Sequence, residues 1–408
     1  MGLMRRRAVL AAALPAALGL FLACRSRPAP PPPPPIRLRL VAVGDILMHQ
    51  DVKLAAEQAP QGFPALWSDL VPLFQGADLA FGNLETPVAP ATGRPGIPFQ
   101  FNAPAALPAA LRASGFTVLS TANNHAFDQG PKGVRETLDR LRAERLVAIG
   151  SGEDRPRAEE LQILERQGLK VAFLGFTDLF NLDLNRKATE PWVRPLDLEP
   201  ALAAVREARS RADLVVVSVH WGNEYQRQPT KRQRDIAKLL VGAGCDLLLG
   251  HHPHVLQPAE LVEADGRKAL VAYSLGNFIS NQDRMYRADL FPVAGGDNRD
   301  GAALQAVFEQ RRDASGNPRM VLAETSFEPL WTENNWGVPS ARREIRVIRV
   351  AAAEARVRAE VEALSVPQGG PEAPARRAAL LERQEYLRTL ILRRRRIAET
   401  LGEAFVAR

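Results

Sequence analysis

Cysteine is nearly absent. The 408 residues hold two, Cys24 and Cys245, and no CxxC pair, which excludes a disulfide framework and a thiolate zinc cluster. Cys245 sits in the apolar run CDLLLG and is expected to be a buried small hydrophobe rather than a reactive thiol. Acidic residues are missing from positions 1–35, which carry five arginines, and nine Arg against four Glu give residues 374–408 the same +5. The whole chain carries +7, so the stretch between them stands at −3. A mildly acidic body has no electrostatic footprint for nucleic acid, and none is expected as a partner. Disorder and collagen-like repetition are also excluded, because 46% of the residues are hydrophobic, 24% are charged, and the 32 prolines cluster without a period. At roughly 100–200 residues per domain, the length suits two or three units.

The N-terminus reads as an address. Arg5-Arg6-Arg7 precede an apolar run, Ala8 to Ala23, that ends at Cys24. At roughly 16 residues the run is shorter than the ~20 of a spanning helix, and its basic flank and small boundary residue describe an export signal. Phe21-Leu22-Ala23-Cys24 resembles a lipoprotein signal in which the cysteine is lipidated, and Arg6-Arg7 resembles a twin-arginine signal. An uncleaved anchor is the alternative. Each version places the body outside the cytoplasmic membrane, anchored in the cell envelope through residues 1–24. Residues 25–35, with Pro28 and Pro30 to Pro35, form a stiff polyproline II spacer, reaching roughly 20–25 Å.

From Ile36 onward, short β-rich runs alternate with helical stretches, which argues an α/β fold with a largely parallel sheet. The strand candidates are Leu38–Val43, Asp78–Phe81, Phe116–Ser120, Lys170–Phe176, Leu214–Val219, Asp246–Leu249 and Leu270–Tyr273. Ala302–Glu309 and Met320–Thr325 alternate like antiparallel edge strands. Helices are expected near Lys132–Arg145, Pro200–Ala212 and Lys231–Gly242.

Six of these strands exit directly into polar residues: Gly44-Asp45, Gly82-Asn83-Leu84-Glu85, Asn123-Asn124-His125, His220-Trp221-Gly222, Gly250 to His254, and Gly276-Asn277. In open α/β sheets, ligands bind at the carboxyl ends of strands. Five of the six histidines (His125, His220, His251, His252, His254) fall at these exits, and His49 lies four residues past Asp45. Imidazole beside carboxylate is the donor set of Zn, Mn or Fe sites, so one or two divalent cations are expected here.

These motifs, in order, resemble the CapA family, also called the bacterial capsule synthesis or PGA-cap family, itself similar to calcineurin-like metallophosphoesterases. The likeness rests on GDILMH (44–49), GNLETP (82–87), FNAP (101–104), ANNHAFDQG (122–130), HWGNEY (220–225), GHHPHVLQP (250–258) and YSLGNFI (273–279). It implies a layered αββα metallophosphatase-like sandwich over residues 36–332. It also implies that Asp45, Glu85, Asn124, His220, His252 and His254 hold metal and that His125 is the general acid. Such a site would cleave a phosphoester, or act on an amide in the synthesis or export of capsular poly-γ-glutamate. An anionic capsular polymer, capsule synthesis or export proteins, and the membrane would be its partners. Leu47 stands where the phosphoesterase pattern Asp-x-His has its histidine, and Glu85 where it has aspartate. His49 or His251 is then the substitute ligand, or the chain is a non-catalytic accessory of capsule synthesis.

Several residues carry two readings. Trp221 and Tyr225 are a substrate-facing wall or ordinary loop packing. Asn277 orients a metal-bound group or completes a turn. Asp128 holds the His125 ring and so belongs with it to the catalytic pair, or it caps the helix that follows Pro131. Residues 333–408 form an Arg-rich appendage: a strand over Glu344–Val350, a helix over Ala352–Leu364, and a helix from Arg376 to about Ala404. The last carries a stripe of Leu380, Leu387, Ile391, Ile397 and Leu401. Its arginines are a solvated face, or they contact anionic lipid or polymer.

Overall fold

In a computed structural model of the protein, the described residues are 35–94, 99–288, 290–313, 315–335, 343–366 and 373–406. The expected export signal with Cys24, and all of the spacer except Pro35, lie outside them. Residues from Pro35 onward form one unit.

The chain begins with β1 (Arg37–Ile46), α1 (Gln50–Gln58), a 3-10 segment (Phe63–Leu70), α2 (Val71–Gln75) and β2 (Leu79–Leu84). Next come α3 (Ala106–Ser114), β3 (Val118–Ser120), α4 (Gly130–Ala143), β4 (Val147–Ile149) and β5 (Ser151–Gly152). The middle holds α5 (Arg155–Glu159), β6 (Gln162–Arg166), β7 (Leu169–Thr177), β8 (Trp192–Val193), α6 (Leu198–Arg211) and β9 (Leu214–His220). After α7 (Lys231–Ala243) follow β10 (Leu247–His251), β11 (Ala259–Ala264), β12 (Arg267–Ala272), β13 (Asn277–Ile279) and a 3-10 turn (Val293–Arg299). The last elements are β14 (Asp300–Arg312), β15 (Pro318–Asn334), β16 (Ile345–Arg349), α8 (Val350–Ser365) and α9 (Ala373–Leu401).

Two sheets result. The first runs β16-β15-β14-β1-β2-β3-β4, with β13 alongside the end of β1; the second runs β11-β12-β10-β9-β7-β6. β1 to β4 are mutually parallel, and so are β7, β9, β10 and β12. Parallel strands joined by helical crossovers need apolar cover on both faces, and the strand sequences supply it. Leu40, Ala42, Phe81 and Val118 of the first sheet share one core with Phe173, Val216 and Leu249 of the second. The opposite faces meet α1–α3 in one case and α6 and α7 in the other. The architecture is therefore the expected αββα sandwich.

Three expectations need correction. β14 is an interior strand between β1 and β15, and β16 forms the edge, because β14 alternates apolar residues toward both a core and a neighbour. The boundary expected at 332/333 falls inside β15. In α9 the buried positions are Leu390, Arg393, Ile397, Thr400 and Leu401, while Ile391 is exposed. The apolar stripe is thus interrupted by an inward-facing arginine. Together α8 and α9 extend the inter-sheet core over β15 and β16, through Ala353, Val357, Leu390 and Ile397 against Phe327, Trp331 and Ile348.

Cys245 is buried and its thiol donates to the Leu247 carbonyl at 3.2 Å, as a packed small residue should. Among the described residues, no helix is long and apolar enough to cross a membrane.

Candidate metal centre

Each site residue is placed by the end of a strand. Gly44 lets β1 run against the turn after β12: a Cβ there would lie 1.9 Å from the Gly276 carbonyl oxygen, so only glycine fits. The close approach delivers Asp45, whose N–H donates to that same carbonyl at 3.0 Å. β2 delivers Asn83 and Glu85, β9 ends on His220, and β10 ends on His251. His252 and His254 follow with φ of +96° and +56°. That conformation is costly for non-glycine residues and is typical of functional sites.

The side chains converge. Asp45 Oδ1 accepts from Asn83 Nδ2 at 2.8 Å and lies 3.3 Å from His251 Nδ1; its Oδ2 lies 3.2 Å from His254 Nδ1. Glu85 Oε1 stands 3.5 Å from His220 Nε2 and 3.7 Å from His254 Nε2. His220 Nε2 donates to Asn124 Oδ1 at 2.9 Å. Asn277 Oδ1 meets His254 Nδ1 at 3.2 Å, while its Nδ2 donates to the carbonyl of Asn298 and to Gln282. Asn277 therefore orients a site imidazole rather than merely completing a turn.

Asp45 and Glu85 are fully buried, and His220, His251 and His254 nearly so. Burial opposes the charge on Asp45, yet the imidazoles of His251 and His254 beside it outweigh burial and hold the carboxyl well below the usual range. Glu85 goes the other way, raised by burial and then by the charge of Asp45. Burial lowers His220, with His252 adding repulsion, and brings His252 down to about 4. Neutral imidazoles and an ionised Asp45 are the protonation states that a cation requires of its ligands, while Glu85 would give up a proton to hold one.

Several buried polar atoms lack any hydrogen-bond partner: Glu85 Oε1, His252 Nδ1 and both ring nitrogens of His251. Such orphans are rare in packed interiors. Two buried groups have ligand atoms within 4.8 Å of one another, Asp45-Glu85-His220 and Glu85-His252-His254. They share Glu85, the position of a bridging carboxylate. The residues fit divalent cations held by oxygen and imidazole.

Other expected positions fall outside these groups. Neither His49 nor His251 belongs to them, and Leu47, where the phosphoesterase pattern has its histidine, is buried with its N–H on the Ile279 carbonyl. His49 accepts from the Asn281 N–H at 3.2 Å and packs on Phe101, with burial bringing it down to about 4. His251 packs against Phe81. His125 stands beside the centre, its Nδ1 2.8 Å from Asp128 Oδ2. The same Asp128 oxygen accepts from the Phe101 N–H at 2.6 Å, and Phe101 lies edge-on to the His125 ring. The N-cap of α4 is Gln129, so Asp128 serves His125 and is not a cap. Trp221 is buried, with its Nε1 donating to the Tyr273 carbonyl, and is packing. Tyr225 is exposed with its ring 6.4 Å from His254, and remains free to meet a ligand. Asn83 was not singled out from the sequence, although it touches Asp45, Glu85 and His220. Its signal was its place one residue before the end of β2.

Residues 39–282 match the model of the family described as bacterial capsule synthesis protein PGA_cap. The PGA biosynthesis protein CapA of Bacillus subtilis (strain 168) is 36% identical over 245 residues, 59% of this chain and 62% of that protein. The capsule biosynthesis protein CapA of Bacillus anthracis is 33% identical over 251 residues, 60% of each. The chain thus spans about three fifths of the length of these relatives. Among solved structures, the calcineurin-like phosphoesterase YfkN from Bacillus subtilis aligns at 13% identity and a TM-score of 0.44, covering 76% of this chain and 94% of that one.

Proposed function

The chain belongs to the bacterial capsule synthesis protein family, and from that premise we propose that it is a metal-dependent hydrolase of phosphoesterase-like type. It would serve capsule or poly-γ-glutamate metabolism in the cell envelope, held there by its N-terminal segment. Its substrate would be a phosphoester or an amide of an anionic capsular polymer, and capsule synthesis or export proteins its partners. The observation that carries the proposal is the buried cluster of unsatisfied donors around Glu85.

Asp45, Glu85, Asn124, His220, His252 and His254 would hold one or two divalent cations, of Mn, Zn or Fe. When bound, such cations supply Lewis acidity and a nucleophilic water at neutral pH. The chain's own residues do the rest. Asp128 accepts the Nδ1 proton of His125, which leaves Nε2 to hand a proton to the leaving group. Phe101 fixes the tilt of that ring by edge contact. Asn83 and Asn277 hold Asp45 and His254 by amide hydrogen bonds, and Tyr225 offers a wall beside His254.

Elemental analysis of the protein purified without chelator tests the proposal, followed by a screen of phosphodiester and γ-glutamyl amide substrates. Bound metal should vanish in the His252→Ala/His254→Ala protein. In His125→Ala the metal should stay while turnover falls at least ~100-fold. Leu47 favours the second reading, an accessory that holds the polymer without cleaving it. Bound metal with no turnover on any substrate would select it, and no uptake of Mn, Zn or Fe would overturn the metal centre itself.

A further inference from the structure

A cavity of about 640 Å³ opens among α1, β15, β16 and α9, away from the residues of the metal centre. Arg299 lines it and is almost fully buried. Its Nε donates to the Thr332 carbonyl at 2.6 Å and its Nη1 to the Tyr286 carbonyl at 3.3 Å. Among the described residues, no carboxylate forms an ion pair with it. Its neighbours are different: Arg346 pairs with Glu333 at 2.8 Å, Arg343 with Asp51 at 3.6 Å, and Arg393 with Asp297 and Asp300. Glu333 lines the same cavity and acts on Arg299 at longer range, but it is engaged by Arg346, and a buried guanidinium with no carboxylate in contact is costly unless something outside the chain supplies one.

Two further donors line the same cavity. The hydroxyls of Tyr286 and Tyr386 are buried and have no hydrogen-bond partner. Trp331 completes the wall, with the Arg299 guanidinium 4.4 Å from its ring centroid. An unpaired guanidinium is the group that recognises carboxylate or phosphate oxygens. Aromatic walls and this volume suit the organic body of a small ligand.

We propose that this cavity is a second ligand site, for an organic oxyanion whose charged end sits on Arg299 and whose apolar part lies against Trp331 and the two tyrosines. The site is independent of the metal centre and of the hydrolase reading. Carboxylate and phosphate share the recognising chemistry, and their different charge and shape separate them by experiment.

The test titrates the chelator-treated His252→Ala/His254→Ala protein with phenylacetate and, separately, phenyl phosphate, reading tryptophan fluorescence and thermal shift. Saturable binding is expected from at least one probe below about 10 mM, and the tighter of the two identifies the oxyanion. Arg299→Met should weaken it at least ~10-fold, and Tyr386→Phe, which keeps the ring, by a smaller factor. If Arg299→Met does not fold, Tyr386→Phe carries the test alone. No saturation with either probe, or binding unchanged in a folded Arg299→Met or in Tyr386→Phe when only that variant folds, overturns the proposal.

Discussion

The first sheet brings Asp45, Asn83 and Asn124 to the cleft, with Glu85 just past β2, whereas the second brings His220 and His251, with His252 and His254 just past β10. Acids and amides come from one side and imidazoles from the other. Each three-residue group combines both, since Asp45 and Glu85 need His220, and Glu85 needs His252 and His254. Neither sheet alone offers a cation site. The site therefore exists only once the two inner faces have packed, and the hydrophobic contact between sheets sets ligand distances that no local sequence encodes.

The largest effect should come from Glu85→Gln, which removes the one group common to both triads. Metal affinity, read by competition with a chromogenic chelator, should fall by more than ~100-fold. The chelator-treated variant should instead melt a few degrees higher by calorimetry, on the order of 1 kcal/mol, because a neutral amide escapes the penalty that burial, and then Asp45, places on the Glu85 carboxyl. A lower melting temperature in the metal-free state would contradict the charge conflict described here.

Arg393→Ala comes next. It strips Asp300, the first residue of β14, of its guanidinium, and Asp297 of one of three. Leaving buried carboxylates unpaired costs about 3–5 kcal/mol, measurable by urea unfolding. A loss under ~1 kcal/mol would mean that α9 decorates the first sheet rather than clamping it.

Asn83→Ala asks how much the first sheet's amide contributes beyond its acids. Metal affinity should drop about 10-fold, with the fold intact by circular dichroism. The smallest effect is expected in the outer layer of the second sheet. There Thr230 caps α7 and Gln233 completes the capping box, so Thr230→Ala should cost about 1 kcal/mol with metal content unchanged.

Much of this comparison was legible in the sequence, because a strand that ends in Gly, Asn, Asp or His leaves a pattern within a few residues. Asp45, His220 and the HHPH segment were found that way, and the structure brings them together. What was not legible depends on distance along the chain. His251 looks like its neighbour His252, yet it ends β10 with its ring between Asp45 and Phe81 and belongs to neither ligand group, whereas His252 follows at positive φ. Asn83 reads as an ordinary amide until Asp45, 38 positions earlier, is set beside it. The arginines of α9 look like a solvated charge run. Instead Arg393 is fully buried, Arg396 engages Asp297 at 2.7 Å, and Arg394 pairs with Glu354 of α8 at 3.1 Å, while Arg395 faces solvent. Helix periodicity could not reveal this, because the counter-charges lie on other elements, those of Arg393 and Arg396 nearly a hundred residues upstream.

That separation sets an order of events. Arg393 follows Asp300 by 93 positions and Asp297 by 96, so a growing chain presents both carboxylates long before this arginine exists, with Arg227, 3.5 Å from Asp297, already made. Until α9 arrives, water is the better host for them, and the turn they occupy stays open. Asn298, inside that turn, holds Asn277 through its carbonyl, and Asn277 holds His254. A late-made helix thus acts as a latch on an early-made ligand. A chain interrupted before Arg393 would carry every candidate ligand and still present His254 on a loose support, so the geometry of the candidate centre depends on the completion of synthesis.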